Sequence, residues 1–199
     1  MPSYIPPRVL RGFVQHGVVF DSDAGDDNAM GTCPFCKKEL HFFANLTNRL
    51  WDCKSCGRSG DFPQFLAEIN KRNKSQLDQK VTVALAKNRG LSIATLIRWE
   101  LGWDGTQYTI PVYWNGQLTD LRRYAIGAKS ILGTSGCKTG PLGAEALQGA
   151  QRQPVWLCEG EWDAMALGEV MTTLQRRDVV LGIPGANTCL LYTSPSPRD

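Results

Sequence analysis

The chain carries two C-x-x-C pairs, Cys33-Pro34-Phe35-Cys36 and Cys53-Lys54-Ser55-Cys56, with sixteen residues between them. Each pair can hook two thiolates onto one tetrahedral Zn²⁺, and the intervening segment is long enough for a β-hairpin that brings the pairs together. Four sulfur ligands leave no coordination position open for a substrate, so a zinc ion held by Cys33, Cys36, Cys53 and Cys56 is structural. A second constellation is acidic. The apolar run Val155-Trp156-Leu157-Cys158 leads directly into Glu159-Gly160-Glu161-Trp162-Asp163. A carboxylate at the C-terminal end of a parallel strand stands where open α/β sheets place their ligands. Asp163, on the following helical turn, can point to the same crevice. Glu159 and Asp163 are therefore the candidate catalytic residues, although acids at strand-to-helix turns also serve as simple helix caps.

The elements that must position these groups follow from pattern. Gly57 and Gly60 permit the tight backbone that wraps a metal. Asp61 can then cap a helix whose apolar residues Phe62, Phe65, Leu66 and Ile69 recur at helical spacing. Upstream, Val9 to Phe20 suggests a strand or short helix. The acidic stretch Asp21-Ser22-Asp23-Ala24-Gly25-Asp26-Asp27 lacks the spacing and closing Glu of a calcium loop and reads as a solvated turn. Asn70 to Lys80 is polar without periodicity, as in a linker or a frayed helix end. Leu91, Thr95, Leu96 and Trp99 share a helical face that Gly102 can terminate. Tyr108–Trp114 and Leu118–Tyr124 read as strands joined by a turn at Asn115-Gly116. Gly133 to Thr139 is a loop and not a phosphate-binding loop, because Cys137 stands where Gly must precede the Lys. From Val155 the order is strand, helix around Asp163 to Met171, and strand Val179–Gly182, a right-handed parallel β-α-β unit.

Composition narrows the class. The formal net charge is only +3, so the positive charge is local: Lys37, Lys38, Lys54 and Arg58, then Lys71, Arg72 and Lys74, then Arg122, Arg123 and Lys129. Such clusters suit a phosphate backbone and suit solvated surface about equally. No apolar run approaches the roughly 20 residues that span a bilayer, and the first residues lack the basic and apolar regions of a signal peptide. Seven cysteines, four of them in a zinc pattern, indicate a reducing compartment and a cytoplasmic location rather than a disulfide scaffold.

The run Trp51-Asp52-Cys53-Lys54-Ser55-Cys56-Gly57-Arg58-Ser59-Gly60-Asp61-Phe62 resembles the zinc-binding domain of bacterial and phage DNA primases. There a Cys/His ribbon ends in C-x-x-C-G-x-x-G-D and a short helix; Cys36 takes a position where many members have His. Glu159-Gly160 and Asp163, with Gly182-Ile183-Pro184-Gly185 after the next strand, resemble the start of the Toprim domain of primases and topoisomerases. That likeness implies Glu159 as an acid/base or metal-proximal carboxylate. It also implies a later D-x-D pair holding Mg²⁺ or Mn²⁺, and no counterpart of that pair is present in this sequence. Ile110 to Leu118 and Asp120-Leu121-Arg122-Arg123-Tyr124 look like the basic subdomain ahead of Toprim, which implies Arg122, Arg123 and Lys129 near template phosphates or nucleotides. In the ribbon, Lys54, Arg58 and Trp51 are the expected nucleic-acid contacts, with Phe42 and Phe43 as further stacking candidates, although the hairpin core suits these aromatics as well.

The expected fold class is α+β / α/β: an N-terminal β zinc ribbon with a short helix, then a mixed α/β primase core ending in an incomplete Toprim β-α-β unit. The expected divisions are a lead-in (1–30), the ribbon (31–70), a linker (71–90), the basic subdomain (91–150) and the start of Toprim (151–188). Residues 189–199 look like a translated sequencing adapter, which would make this a fragment without primer synthesis of its own. The order of motifs implies a DNA primase that makes RNA primers on a single-stranded DNA template from ribonucleoside triphosphates, beside a replicative helicase, separate or fused. Two other readings stay open: a non-catalytic zinc-ribbon DNA-binding protein, and a Toprim nuclease.

Overall fold

The computed structural model of the chain describes residues 4–25, 27–138, 140–150 and 152–184. The chain is mixed α+β, with a β-rich N-terminal region that holds the four cysteines. Strands β1 (Val19–Asp23), β2 (Asn28–Thr32), β3 (Phe42–Asn45), β4 (Trp51–Cys53) and β5 (Ser59–Gly60) form one antiparallel sheet in sequence order. The period of two is plain in β3, where Phe42 and Ala44 are buried and Phe43 and Asn45 are less so. The expected lead-in is not a separate stretch: β1 and β2 extend the ribbon sheet, and helix α1 (Arg11–Gln15) inserts Phe13 edge-on against Phe42, Phe62 and Phe65. Gly31 is needed at the irregular β1–β2 pairing, because a Cβ there would lie 2.1 Å from the Val19 carbonyl oxygen.

Helix α2 (Phe62–Gln76) begins with a capping box. Asp61 accepts from the Gln64 amide at 2.8 Å, and the Gln64 side chain accepts from the Asp61 amide at 2.9 Å. The stretch expected to be a linker is helical: α2 runs to Gln76, and Asp78 caps α3 (Gln79–Arg89) by accepting from the Val81 amide. The buried face of α2 changes there from apolar to amide side chains, so hydrophobic periodicity does not report it. Asn70 and Asn73 are buried, and Asn70 donates to the Tyr113 hydroxyl at 3.0 Å.

Helix α4 (Ile93–Arg98) ends before Gly102, which lies instead in β6 (Gly102–Trp103). Its missing Cβ serves close approach: one would sit 2.7 Å from Thr109 Oγ1 and 2.8 Å from the Asn73 carbonyl carbon. Strands β6, β7 (Tyr108–Trp114) and β8 (Gln117–Tyr124) form a second antiparallel sheet. Its Asn115-Gly116 turn has φ of 52° and 73°, the positive values that a two-residue type I′ hairpin requires. Leu118 and Leu121 join the ribbon's core, while Tyr108, Ile110, Val112 and Tyr124 pack with α3 and α4 in a second one. Last come β9 (Val155–Cys158), α5 (Glu161–Thr173) and β10 (Val179–Gly182), with β9 and β10 parallel and in register from Val155–Val179 to Cys158–Gly182. Gly185, matched above to the loop after this strand, and the tail 189–199 lie outside the described residues.

Candidate metal centre and acidic site

The two cysteine knuckles are built alike. The Lys37 amide donates to the Cys33 carbonyl and the Gly57 amide to the Cys53 carbonyl, both at 3.0 Å. Both turn residues take positive φ, 61° at Lys37 and 72° at Gly57. Strand pairing of β3 with β4 brings the knuckles together, so that the four sulfur atoms lie within 4.8 Å of one another. Cys36 and Cys53 are 3.7 Å apart and Cys33 and Cys56 4.0 Å. Zn–S bonds of about 2.3 Å in a tetrahedron put the sulfurs about 3.8 Å apart, so the set fits Zn²⁺. Burial pushes the Cys33 thiol up to about 12 and raises Cys53 as well, whereas the Lys38 amide lowers Cys36 to about 6. A buried thiol loses its proton to solvent readily only when a cation beside it stabilises the thiolate, which is what a zinc ion would do here.

Around this centre the expected nucleic-acid residues divide. Lys54 is exposed, 2.7 Å from Asp52, and its ammonium stands 5.9 Å from the Phe43 ring centre. Arg58 pairs with Glu68 at 3.4 Å, lies over the Phe35 ring and is drawn toward its charged form by Cys56. Trp51, by contrast, is 3 % exposed, stacks on Phe42 at 5.5 Å and donates Nε1–H to the Asp61 carbonyl. It is a core residue with no face left for a base, and Phe42 is buried beside it.

At the other end, Glu159 is exposed at the end of β9 and Asp163 is exposed on the first turn of α5. The turn between them packs closely against β10: a Cβ on Gly182 would be 2.9 Å from the Gly160 carbonyl oxygen and 3.0 Å from Ala164 Cβ. The carboxylate between them behaves oppositely. Glu161 is buried, and its Oε1 accepts from Arg122 Nη1 at 2.6 Å. Arg122, itself 2 % exposed, also donates Nε–H to Asp120 at 3.2 Å and Nη2–H to the Gly140 carbonyl. Arg122 is therefore not available to phosphate. It ties β8 to α5, because an arginine this deep needs its charge matched on both sides.

Sequence reasoning missed Asp120 and Glu161, although β8 carried a signal. Asp120, Arg122 and Tyr124 alternate along one strand face, placing two opposite charges in line with a core residue. Arg123 points to the other side, where it is half-buried and donates Nη1–H to the Gln15 carbonyl at 3.2 Å and to Gln107 at 3.4 Å. Lys129 is exposed on the loop after β8. Among the described residues no helix is long and apolar enough to cross a membrane.

No family model matches this chain, and no curated protein does. Among solved structures, it is similar to the zinc-binding and RNA polymerase domains of Aquifex aeolicus primase at 14% identity and a TM-score of 0.44, over 91% of this chain and 67% of that one. It is also similar to the DnaG catalytic core at 17% identity and a TM-score of 0.44, over 54% of this chain and 50% of that one, so that the chain spans half the length of that core.

Proposed function

We propose that the chain carries the template-binding ribbon and the first carboxylates of a DNA-primase-type nucleotidyltransferase, one that makes RNA primers on single-stranded DNA. The observation that supports this most is a juxtaposition. One chain holds a closed four-sulfur cluster and, tied to it through the β7–β8 hairpin, a parallel β-α-β unit with Glu159 at the C-terminal end of its strand. A zinc-ribbon DNA-binding protein has no use for the second part, and a nuclease has none for the first.

In this reading the cysteines do no chemistry. They fix the ribbon so that exposed Lys54 and Arg58 face the template phosphates. Glu159 and Asp163 present two exposed carboxylates at one end of the sheet, and Mg²⁺ is commonly held by one or two carboxylates plus substrate phosphates. A divalent cation bound there would stabilise charge on the reacting phosphate and the leaving pyrophosphate. Arg122 acts as a positioning residue, holding the start of α5, and with it Asp163, against β8 through Glu161.

The test is primer synthesis by the natural gene product on single-stranded DNA, with ribonucleoside triphosphates and Mg²⁺. Glu159→Gln keeps the shape and removes the charge, and is expected to lower the rate by about 100-fold or more. Full activity of that variant would make Glu159 a helix-terminal acid only. DNA binding with no synthesis by the unaltered protein would favour the non-catalytic ribbon. Lys54→Ala should weaken DNA binding at all sequences and reduce the salt slope by about 1.

A further inference from the structure

The sequence holds one Asn-Gly pair, Asn115-Gly116, at the tip of the β7–β8 hairpin. Both residues are exposed. Asn-Gly is the dipeptide best suited to deamidate itself, because glycine places no side chain beside the attacking nitrogen. In that reaction the Gly116 nitrogen bonds to Asn115 Cγ and the Cγ–N bond of the side-chain amide breaks. The side-chain nitrogen leaves as ammonia, taking the Gly116 amide proton. Water then opens the cyclic imide at either of its carbonyls, giving aspartate or isoaspartate at position 115. Ring closure needs the Gly116 nitrogen and the Asn115 Cβ on the same side of the Asn115 Cα–C bond.

The folded turn opposes each of these steps. With φ of 52° and 73° the pair takes the type I′ form, in which ψ of the first central residue is about 30°. That ψ turns the Gly116 nitrogen to the side opposite Cβ, so the ring cannot close unless the turn opens. A short 3₁₀ helix, Ala144–Gly149, fixes both reacting groups. Glu145 Oε1 accepts from the Gly116 amide at 2.8 Å, and Gln148 Nε2 donates to Asn115 Oδ1 at 3.0 Å. Among the described residues the hairpin tip is the one hydrogen-bonding partner of both side chains. The carboxylate holds the proton that must be lost, and its charge opposes negative charge building on the nitrogen. The helix is tethered in turn. Leu142, just before it, exchanges both backbone hydrogen bonds with Gly182, at 2.8 and 3.0 Å.

We propose that Asn115-Gly116 is a self-modification site, with water as its co-reactant, that Glu145 and Gln148 hold closed in the folded chain. Isoaspartate carries the backbone through Cγ and adds one carbon to a two-residue turn, so the original register cannot re-form and the change is one-way. The site involves neither the cysteine cluster nor Glu159, so it stands or falls apart from the nucleotidyl-transfer reading. The test is peptide mapping by mass spectrometry of the whole zinc-loaded chain, aged at mildly alkaline pH beside a synthetic peptide of residues 111–120. Mapping keeps position 115 apart from Asp104-Gly105, which can also form isoaspartate. Asn115 in the unaltered protein is expected to convert at least about 10-fold more slowly than in the peptide. Glu145→Ala with Gln148→Ala should speed conversion in the folded chain by about 10-fold. Gln148→Ala alone, on an exposed side chain, should speed it by less, and it serves as the test if the double variant loses the hairpin. Conversion in the unaltered protein as fast as in the peptide would overturn the proposal. So would an unchanged rate in a folded variant of wild-type zinc content, or a slower one, which would make Glu145 the base of the reaction and not its block.

Discussion

The ribbon and the β-α-β unit are each too small to bury much core alone, and they answer that shortage in opposite ways. The ribbon closes on itself. Phe13, Phe42, Trp51 and Phe65 form an aromatic cluster beneath the sheet, and the four sulfurs draw its two loops to one point. The β-α-β unit is anchored from outside. Arg122 grips Glu161, and the Arg89 guanidinium lies 4.4 Å from the Tyr124 ring centre and 4.5 Å from that of Trp162. Its strand β9 still exposes Val155 at 47 % and Leu157 at 64 %. Parallel strands are usually covered on both faces, so this unit depends more heavily on its neighbours than the ribbon, which borrows Leu118 and Leu121 from β8. The lesson lies in where reactive groups sit. In the ribbon the candidate ligands are part of the fold itself, whereas in the β-α-β unit a buried acid holds the fold and the acids on either side of it are exposed.

The strongest way to break this comparison is to remove the metal. Structural zinc in small ribbons contributes roughly 10–16 kcal/mol of apparent binding free energy, nearly all of it folding free energy. Chelation, or Cys53→Ser with Cys56→Ser, should abolish amide protection across residues 31–60 in hydrogen exchange. The β7–β8 hairpin should loosen next, since Leu118 and Leu121 share the ribbon's core, while β9, α5 and β10 keep most of their protection. Zinc retained by the double variant, measured by elemental analysis, would refute the four-sulfur assignment.

A smaller effect is expected at the anchor. Arg122→Met leaves Asp120 and Glu161 buried without their cation and should destabilise the chain by about 3–5 kcal/mol in urea unfolding. Replacing all three by apolar residues of similar volume should recover most of that loss. Recovery would show that the anchor needs a filled contact and not a charge. A loss near zero for Arg122→Met would mean that the β-α-β unit holds together without it.

Next comes pH. Burial, assisted by Arg123 and Arg72, lowers His16 from 6.5 to about 3. The folded chain therefore refuses a proton that the unfolded chain takes up, and between these values the unfolded state binds more protons. Stability on this account falls as pH drops below about 6.5, by up to ~1.4 kcal/mol per pH unit, and levels off only near the folded value. Zinc release adds to acid sensitivity, so the measurement is the difference between wild type and His16→Gln. The variant should show the shallower acid slope. Equal slopes would mean that His16 is charged in the folded protein.

The smallest effect belongs to the α2 cap. Asp61→Ala removes the side-chain half of the capping box, leaving the residue-61 amide on Gln64, and should cost about 1 kcal/mol, within a range of roughly 0.5–2. Because α2 packs against both sheets, the ribbon and the β6–β8 sheet should lose protection together. Loss confined to the ribbon would separate the two regions more sharply than the shared core suggests.

Several features were legible in the chain because their causes are local. The cysteine knuckles, the Asp61 cap, the Asn115-Gly116 turn and the strand–helix–strand order each follow from a residue type at a fixed spacing, whose physics acts within a few positions. What lay hidden was decided by partners distant in sequence. Nothing near Trp51 says that Phe42 covers it, and nothing near Asn73 says that Thr109 faces it across 36 residues. Arg122 and Arg123 are adjacent and chemically identical, yet one is sealed against Glu161 and the other lines a cleft. Composition could supply their charge, but only the alternation of β8 and the packing of α1, α2 and α5 around it determined which arginine meets a carboxylate and which meets a carbonyl and an amide oxygen. A side chain's chemistry is set by its type; its availability is set by what the rest of the chain brings within a few ångströms.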